Sequence, residues 1–99
     1  DPPTCILYPD DLSAVGGFNE IRERDLKIPE DISIAGYDGN NIARIMEPKL
    51  TTLCQDTSAI GRIAAEELVE LIEQPKTALI RSYTVDGTLF QGRSVKKLG

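Results

Sequence analysis

The chain has 99 residues, among them 16 acidic and 11 basic side chains and no histidine, and its net charge at pH 7 is −5. A chain of this length forms a single small domain with one hydrophobic core. The acidic balance argues against DNA binding by this segment, because phosphate contacts need clustered Lys and Arg, and no apolar run is long enough to cross a membrane.

The N-terminal quarter predicts a strand followed by a helix. Residues 4–8 are mostly apolar and are closed by Pro9, which is typical of a buried strand. Residues 11–24 then place apolar side chains at helical spacing, with Asp11 as the N-cap. Because these side chains spread over about half of the circumference, we predict that one flank packs on a sheet and the other lies in a subunit interface. The interface flank comprises Val15, Phe18, Asn19 and Arg22.

The middle of the chain predicts two more strands. Residues 32–37 are an apolar strand that ends at four turn-forming residues, 38–41. Residues 42–46 fit only one or two helical turns, and residues 50–54 form the third strand.

The clearest helical period runs from Thr57 to Glu73, with Asp56 or Thr57 as the N-cap and Pro75 as the stop. One face of this helix is apolar and the opposite face is charged. The apolar face comprises Ile60, Ala64, Leu68, Leu71 and Ile72.

The C-terminal part, residues 77–95, is rich in β-forming residues on both sides of Asp86-Gly87. This pattern predicts extended strands and carries a hairpin signal, but whether a hairpin forms stays open. The alternation of strands and helices before it predicts an α/β fold of three layers. Its sheet is expected to be mostly parallel, with right-handed crossovers and helices on both faces.

The reactive side chains predict no catalytic or metal site. Cys5 and Cys54 lie in predicted strands, so we expect buried free thiols, with a disulfide between neighbouring strands as the alternative. Without histidine there is no zinc-type ligand set, no base stands beside either cysteine, and no glycine-rich phosphate loop occurs. We therefore predict that the chain is not an enzyme and binds neither a metal nor a cofactor.

The carboxyl ends of the predicted strands are the candidate ligand site, since open parallel sheets bind ligands there. These ends carry Asp10 and Asp11, then Asp38, then Gln55 and Asp56. We predict that Asp10, Asp38 and Gln55 bind a polyhydroxylated ligand, because carboxylates and amides bridge neighbouring hydroxyl groups. Asp11 and Asp56 are better suited to capping the helices that follow. The alternative role for Asp38 is to form the turn before the next glycine.

A receiver-like phosphoacceptor domain is another interpretation of the same acids. Asp10 and Asp11 would hold Mg²⁺, and Asp38 would accept a phosphoryl group. Such domains also need a Lys at a later strand end and five βα units, and this sequence has neither.

Three connected runs carry a family resemblance. The sequence reads IPEDISIAGYD at residues 28–38, IARIMEP at residues 42–48 and PKLTTLCQD at residues 48–56. Together they resemble the signature of the lactose-repressor (LacI/GalR) family of transcription regulators, and the resemblance extends from Pro3 to about Val95. It implies that residues 1–99 are the C-terminal lobe of a periplasmic-binding-protein-like (type I) effector domain. The N-terminal lobe and the helix-turn-helix of the family are absent from this chain.

The resemblance also implies a function: effector sensing and dimerisation in a cytoplasmic repressor that responds to a sugar or a nucleobase-like metabolite. Asp10 stands where the family commonly has a ligand-contacting Asn, and Asp38 and Gln55 match a ligand-contacting Asp and a rim Gln. Operator DNA would bind only through the missing N-terminal domain. The family's dimer axis follows the first helix and residues 41–46, which adds Ile42 and Met46 to the predicted homodimer interface. The alternative is half of a solute-binding protein for transport.

Overall fold

In the computed structural model, which describes residues 3–98, the chain forms two compact units. The first unit contains residues 3–54 and 88–98, and the second contains Gln55–Gly87. In chain order, the secondary structure elements are β1 (Cys5–Leu7), α1 (Asp11–Glu23), β2 (Ser33–Asp38), α2 (Ile42–Ile45), β3 (Thr51–Cys54), α3 (Thr57–Glu73) and β4 (Thr88–Phe90).

The four strands form one sheet in the order β1-β2-β3-β4. The first three strands are parallel, whereas β4 runs antiparallel to β3. Each parallel connection contains a helix, and α1 packs against β2 and α2. The predicted α/β class with a mostly parallel sheet is therefore confirmed.

The core of the first unit lies between α1 and the sheet. It is built by apolar side chains from α1, β2, α2 and the segments before β2 and β3. Its members are Ala14, Phe18, Ile21, Ile28, Ile32, Ile34, Ala43 and Leu50. The prediction that Phe18 lies in a subunit interface is wrong, because its side chain is only 3% exposed and belongs to this core. Helix α1 thus directs Phe18 toward the sheet, whereas Val15, also on its apolar side, is only half-buried.

Strand β1 is less buried than the sequence predicts, because it is an edge strand with a neighbour on one side only. Ile6 packs against the core, while Cys5 and Leu7 alternate to the other face, where Leu7 is 73% exposed. The expected burial of Cys5 is therefore wrong, and Cys54 is half-buried. Both thiols are free, and β2 separates the strands that carry them.

The C-terminal segment joins the sheet without the hairpin that Asp86-Gly87 suggests. Within the described residues, the stretch before Gly87 contains no strand, and β4 pairs with β3 instead. Farther on, the fully buried Ser94 bridges the amino-terminal ends of β2 and β3. Its Oγ donates to the carbonyl of Ile34 and accepts from the backbone N–H of Thr51. The predicted strand before Asp86-Gly87 is therefore wrong, and the predicted strand after it is confirmed as β4, whose partner lies more than thirty residues earlier in the sequence.

The second unit consists of α3 and the extended segment after it. Helix α3 has the predicted bounds, and the Asp56 carboxylate caps it by accepting from the backbone N–H of Ala59 at 3.1 Å. Tyr83 donates to Glu67, and Arg81 lies 3.7 Å from the same carboxylate. Considered by itself, this unit buries no residue of α3.

Candidate functional site

The first unit brings two of the three predicted ligand residues to one edge of the sheet. Asp10 follows β1 directly before α1, and Asp38 is the last residue of β2. Because β1 and β2 are parallel neighbours, their carboxyl ends share an edge. Gln55 follows β3 and belongs to the second unit, so its part in the site stays a prediction.

Asp10 has a structural role as the N-cap of α1. Its backbone is extended, and its Oδ1 accepts a hydrogen bond of 2.6 Å from the backbone N–H of Ser13. The hydrogen bonds from Ser13 lower the pKa of Asp10, because they favour its ionised form. The N-cap predicted from the sequence, Asp11, is therefore wrong by one residue. Capping leaves the Asp10 carboxylate accessible at the sheet edge, where it can also accept from a ligand hydroxyl group.

Asp38 is exposed and has an unusual backbone conformation. Its φ is 116°, and Gly39 after it has a φ of 79°. For a residue other than glycine, such a conformation costs about 1 to 3 kcal/mol and needs support from its surroundings. Gly39 cannot be replaced by a larger residue without a shift, since a Cβ there would lie 2.6 Å from the Cβ of Cys54. The chain therefore makes a sharp, fixed turn immediately after the predicted ligand residue.

The buried carboxylate of Asp11 supports this turn. Asp11 is 1% exposed, and its Oδ2 accepts from the backbone N–H of Asn40 at 2.6 Å. Its Oδ1 accepts from the hydroxyl group of Thr52 on β3 at 2.7 Å, and that hydroxyl oxygen accepts from the N–H of Gly39 at 3.3 Å. Sequence reasoning missed this role, although two adjacent acids at a helix start are a signal, because only one of them can be the N-cap.

An apolar depression lies beside the acidic edge. It has a volume of about 360 Å³ and is lined by Leu7, Tyr8, Pro9 and Tyr37. These residues directly precede Asp10 and Asp38 in the sequence. Ligand sites commonly combine such apolar and aromatic surfaces with a few placed polar groups. Neither tyrosine was predicted to be a site residue, although each lies at the end of a predicted strand.

The chemistry of this edge is suited to binding. Within residues 3–98, no cluster of three or more His, Cys, Asp or Glu side chains could ligate a metal ion. No helix in the same range combines the length and the apolarity that crossing a membrane requires. The groups at the edge are carboxylates, a turn with a fixed backbone and aromatic rings, which together can orient a small polar molecule.

Comparison with known proteins gives consistent results. Residues 1–95 match the family described as periplasmic binding protein-like domains. The chain is 40% identical over 73 residues to the ribose operon repressor of Haemophilus influenzae, which is 74% of this chain and 22% of that protein. It is 40% identical over 72 residues to the HTH-type transcriptional repressor PurR of Pasteurella multocida, or 73% of this chain and 22% of that protein. The chain thus spans about 22% of the length of these curated relatives.

The fold is also similar to a solved structure, the crystal structure of a LacI family transcriptional regulator from Enterococcus faecalis with bound ribose. The TM-score is 0.90 and the identity 32%, and the match covers 100% of this chain and 37% of that chain.

Proposed function

Because the chain belongs to the family of periplasmic binding protein-like domains, we propose that it is the C-terminal lobe of the effector-binding domain of a LacI-family transcriptional repressor. The whole polypeptide would carry a second lobe, which completes the ligand cleft, and a helix-turn-helix that binds operator DNA. A repressor works where its operator is, so the proposed location is the cytoplasm. The relatives reported above are repressors and not enzymes, which favours a regulator over a transport protein or a catalyst.

The observation that carries this proposal is the edge that holds Asp10 and Asp38 beside a depression lined by Tyr8 and Tyr37. Carboxylates accept from adjacent hydroxyl groups, and aromatic rings pack on the apolar faces of a sugar. The proposed effector is therefore a small sugar, and ribose is the first to test because a relative represses a ribose operon and a similar structure holds ribose. Gln55, which follows β3 in the sequence, is proposed as the third polar contact with the effector.

The proposal is tested by calorimetric titration of the whole polypeptide that carries this chain. The panel contains ribose, lactose, cellobiose and a purine base. We expect saturable binding of at least one sugar, weakened about ten- to hundredfold by Asp38→Ala, which removes a polar contact with the ligand. Asp31→Ala is the matched control, since it also removes an aspartate carboxylate, but from an exposed turn before β2. Binding of the purine base alone would exclude a sugar as the effector, and binding of nothing would contradict the proposal.

We also propose that two copies pair about a two-fold axis through α1 and α2. These helices contact each other. Val15, Ile42 and Met46, the last of which directly follows α2, are half-buried, while Asn19 and Arg22 of α1 are exposed. A half-buried apolar centre with polar residues around it suits an isologous interface. Phe18 is left out of this interface, because it lies in the core. In a repressor, an effector can act only if its affinity differs between two arrangements of the lobes. The proposed dimer would pass the change of arrangement from one subunit to the other.

A further inference from the structure

We infer that Asp11 is a positioning residue for the effector site: its buried carboxylate holds the turn that presents Asp38. The inference rests on the proposed function, in which Asp38 contacts the effector. Asp11 itself would not touch the effector, since it is 1% exposed and both of its oxygens already accept hydrogen bonds from protein groups.

The hydrogen bonds of Asp11 converge on the two residues that follow Asp38. Asn40 donates its backbone N–H directly to Oδ2. Gly39 donates its backbone N–H to the hydroxyl group of Thr52, which in turn donates to Oδ1. One carboxylate thus fixes two successive peptide groups of the turn, one directly and one through a hydroxyl group.

The turn needs this support because of its backbone conformation. Asp38 has a φ of 116°, which side chains other than glycine rarely adopt, and Gly39 continues the turn with a φ of 79°. If the N–H groups of Gly39 and Asn40 lost their acceptors, the Asp38 backbone would relax toward a common conformation. Its carboxylate would then leave the position that the ligand site requires.

The surroundings are shaped for a carboxylate at this place. Gly36 of β2 lies opposite Asp11, where a Cβ would collide with Oδ1 and would come within 2.9 Å of Leu50. Hydrogen bonds to a carboxylate are strong in a buried place. The Asp11 carboxylate therefore holds the N–H of Asn40 and the hydroxyl group of Thr52 more firmly than a neutral acceptor would. An amide offers one acceptor oxygen where the carboxylate offers two. Asp11→Asn therefore keeps the shape of the side chain but serves only one of its two donors.

The first test needs no ligand. Hydrogen exchange is measured by mass spectrometry on the whole polypeptide, in peptides that cover residues 37–42. Asp11→Asn should speed exchange there at least about tenfold, because the Asn40 N–H loses its charged acceptor. The matched control is Ser94→Ala, which removes an equally buried polar group at the opposite ends of the same strands and should leave residues 37–42 protected. Unchanged exchange in Asp11→Asn, or the same acceleration in Ser94→Ala, would overturn the inference.

The second test is a double-mutant cycle with ribose, or with whichever panel sugar the wild type binds. Asp11→Asn alone should weaken sugar binding about tenfold. In an Asp38→Ala background the same substitution should weaken binding less than twofold, because the turn then no longer carries the carboxylate that contacts the ligand. Equal losses in both backgrounds would overturn the inference. If the wild type binds no panel sugar, the proposed function fails while the exchange test still decides the role of Asp11.

A second pair of variants covers the case in which Asp11→Asn fails to fold. Thr52→Ser keeps the hydroxyl group that links Gly39 to Asp11, and Thr52→Val has nearly the same volume without it. We expect ribose affinity near that of the wild type for Thr52→Ser and a loss of about tenfold for Thr52→Val. Equal affinity of the two variants would contradict the link through Thr52.

Discussion

At the scale of single residues, two adjacent aspartates at the start of α1 have opposite environments. Asp10 faces outward and caps the helix through Ser13, while Asp11 turns inward to Asn40 and Thr52. The sequence indicates that an aspartate begins this helix, but it does not indicate which of the two is the cap. That choice depends on donors 29 and 41 residues away from Asp11, which local spacing cannot reveal.

The capping role of Asp10 predicts a dependence of stability on pH. Hydrogen bonds from Ser13 lower its pKa in the folded chain, so its contribution is present above the pKa of the unfolded chain and is lost as the pH falls through the lower, folded value. Urea unfolding should therefore show Asp10→Ala to be less stable than the wild type at pH 7. At pH 2 the difference should be smaller. A difference that is the same or larger at pH 2 would contradict this role.

At the scale of secondary structure elements, the sequence predicts best where the signals are local. The bounds of α3 agree because Asp56 caps it and a proline follows it within two residues of its end. β4 could not be predicted in the same way, because its partner is β3 and the Asp86-Gly87 turn signal carries no information about that pairing. The exposure of β1 likewise follows from its place at the sheet edge, which depends on strand order.

Ser94 joins the C-terminal segment to the sheet, and its removal should destabilise the fold. Ser94→Ala leaves the partly buried Thr51 N–H without its acceptor and the buried Ile34 carbonyl without one donor. We expect a loss of about 1 to 3 kcal/mol in the free energy of unfolding, measured with urea. Ser58→Ala, at an exposed position of α3, should change it by less than about 0.5 kcal/mol. A loss no greater in Ser94→Ala than in Ser58→Ala would show that the bridge adds nothing.

The proposed pairing through α1 predicts a change in assembly. Val15→Glu would place a charge at the apolar centre of the interface, and the dimer should dissociate at least about tenfold more readily because a buried, unpaired carboxylate is costly. Sedimentation velocity measures this, with circular dichroism to show that α1 remains folded. Ser13→Glu introduces the same charge on the opposite side of α1 and should leave the dimer intact. A monomeric wild type at high concentration, or equal dissociation of both variants, would refute the pairing.

At the scale of the whole molecule, the parallel topology explains why part of the site was predictable. Once β1 and β2 are recognised as parallel neighbours, the acids after them must share an edge, which places Asp10 and Asp38 together. The tyrosines beside them and the inward turn of Asp11 depend on packing and were not predicted. Gln55 remains a prediction, since it lies in the second unit. The fold itself is predictable from its strand and helix alternation, and it agrees with a ribose-bound regulator at a TM-score of 0.90.

The most direct test of effector sensing is the response of DNA binding to sugar in the whole polypeptide. Operator DNA is selected from a random library, and its affinity is measured against increasing ribose or another bound sugar. We predict that sugar changes the operator affinity of the wild type. Asp38→Ala should bind the operator equally well without sugar but need about ten- to hundredfold more sugar for the same response. An operator affinity that no sugar changes, or an Asp38→Ala variant that responds like the wild type, would contradict a sugar-sensing site at this edge of the sheet.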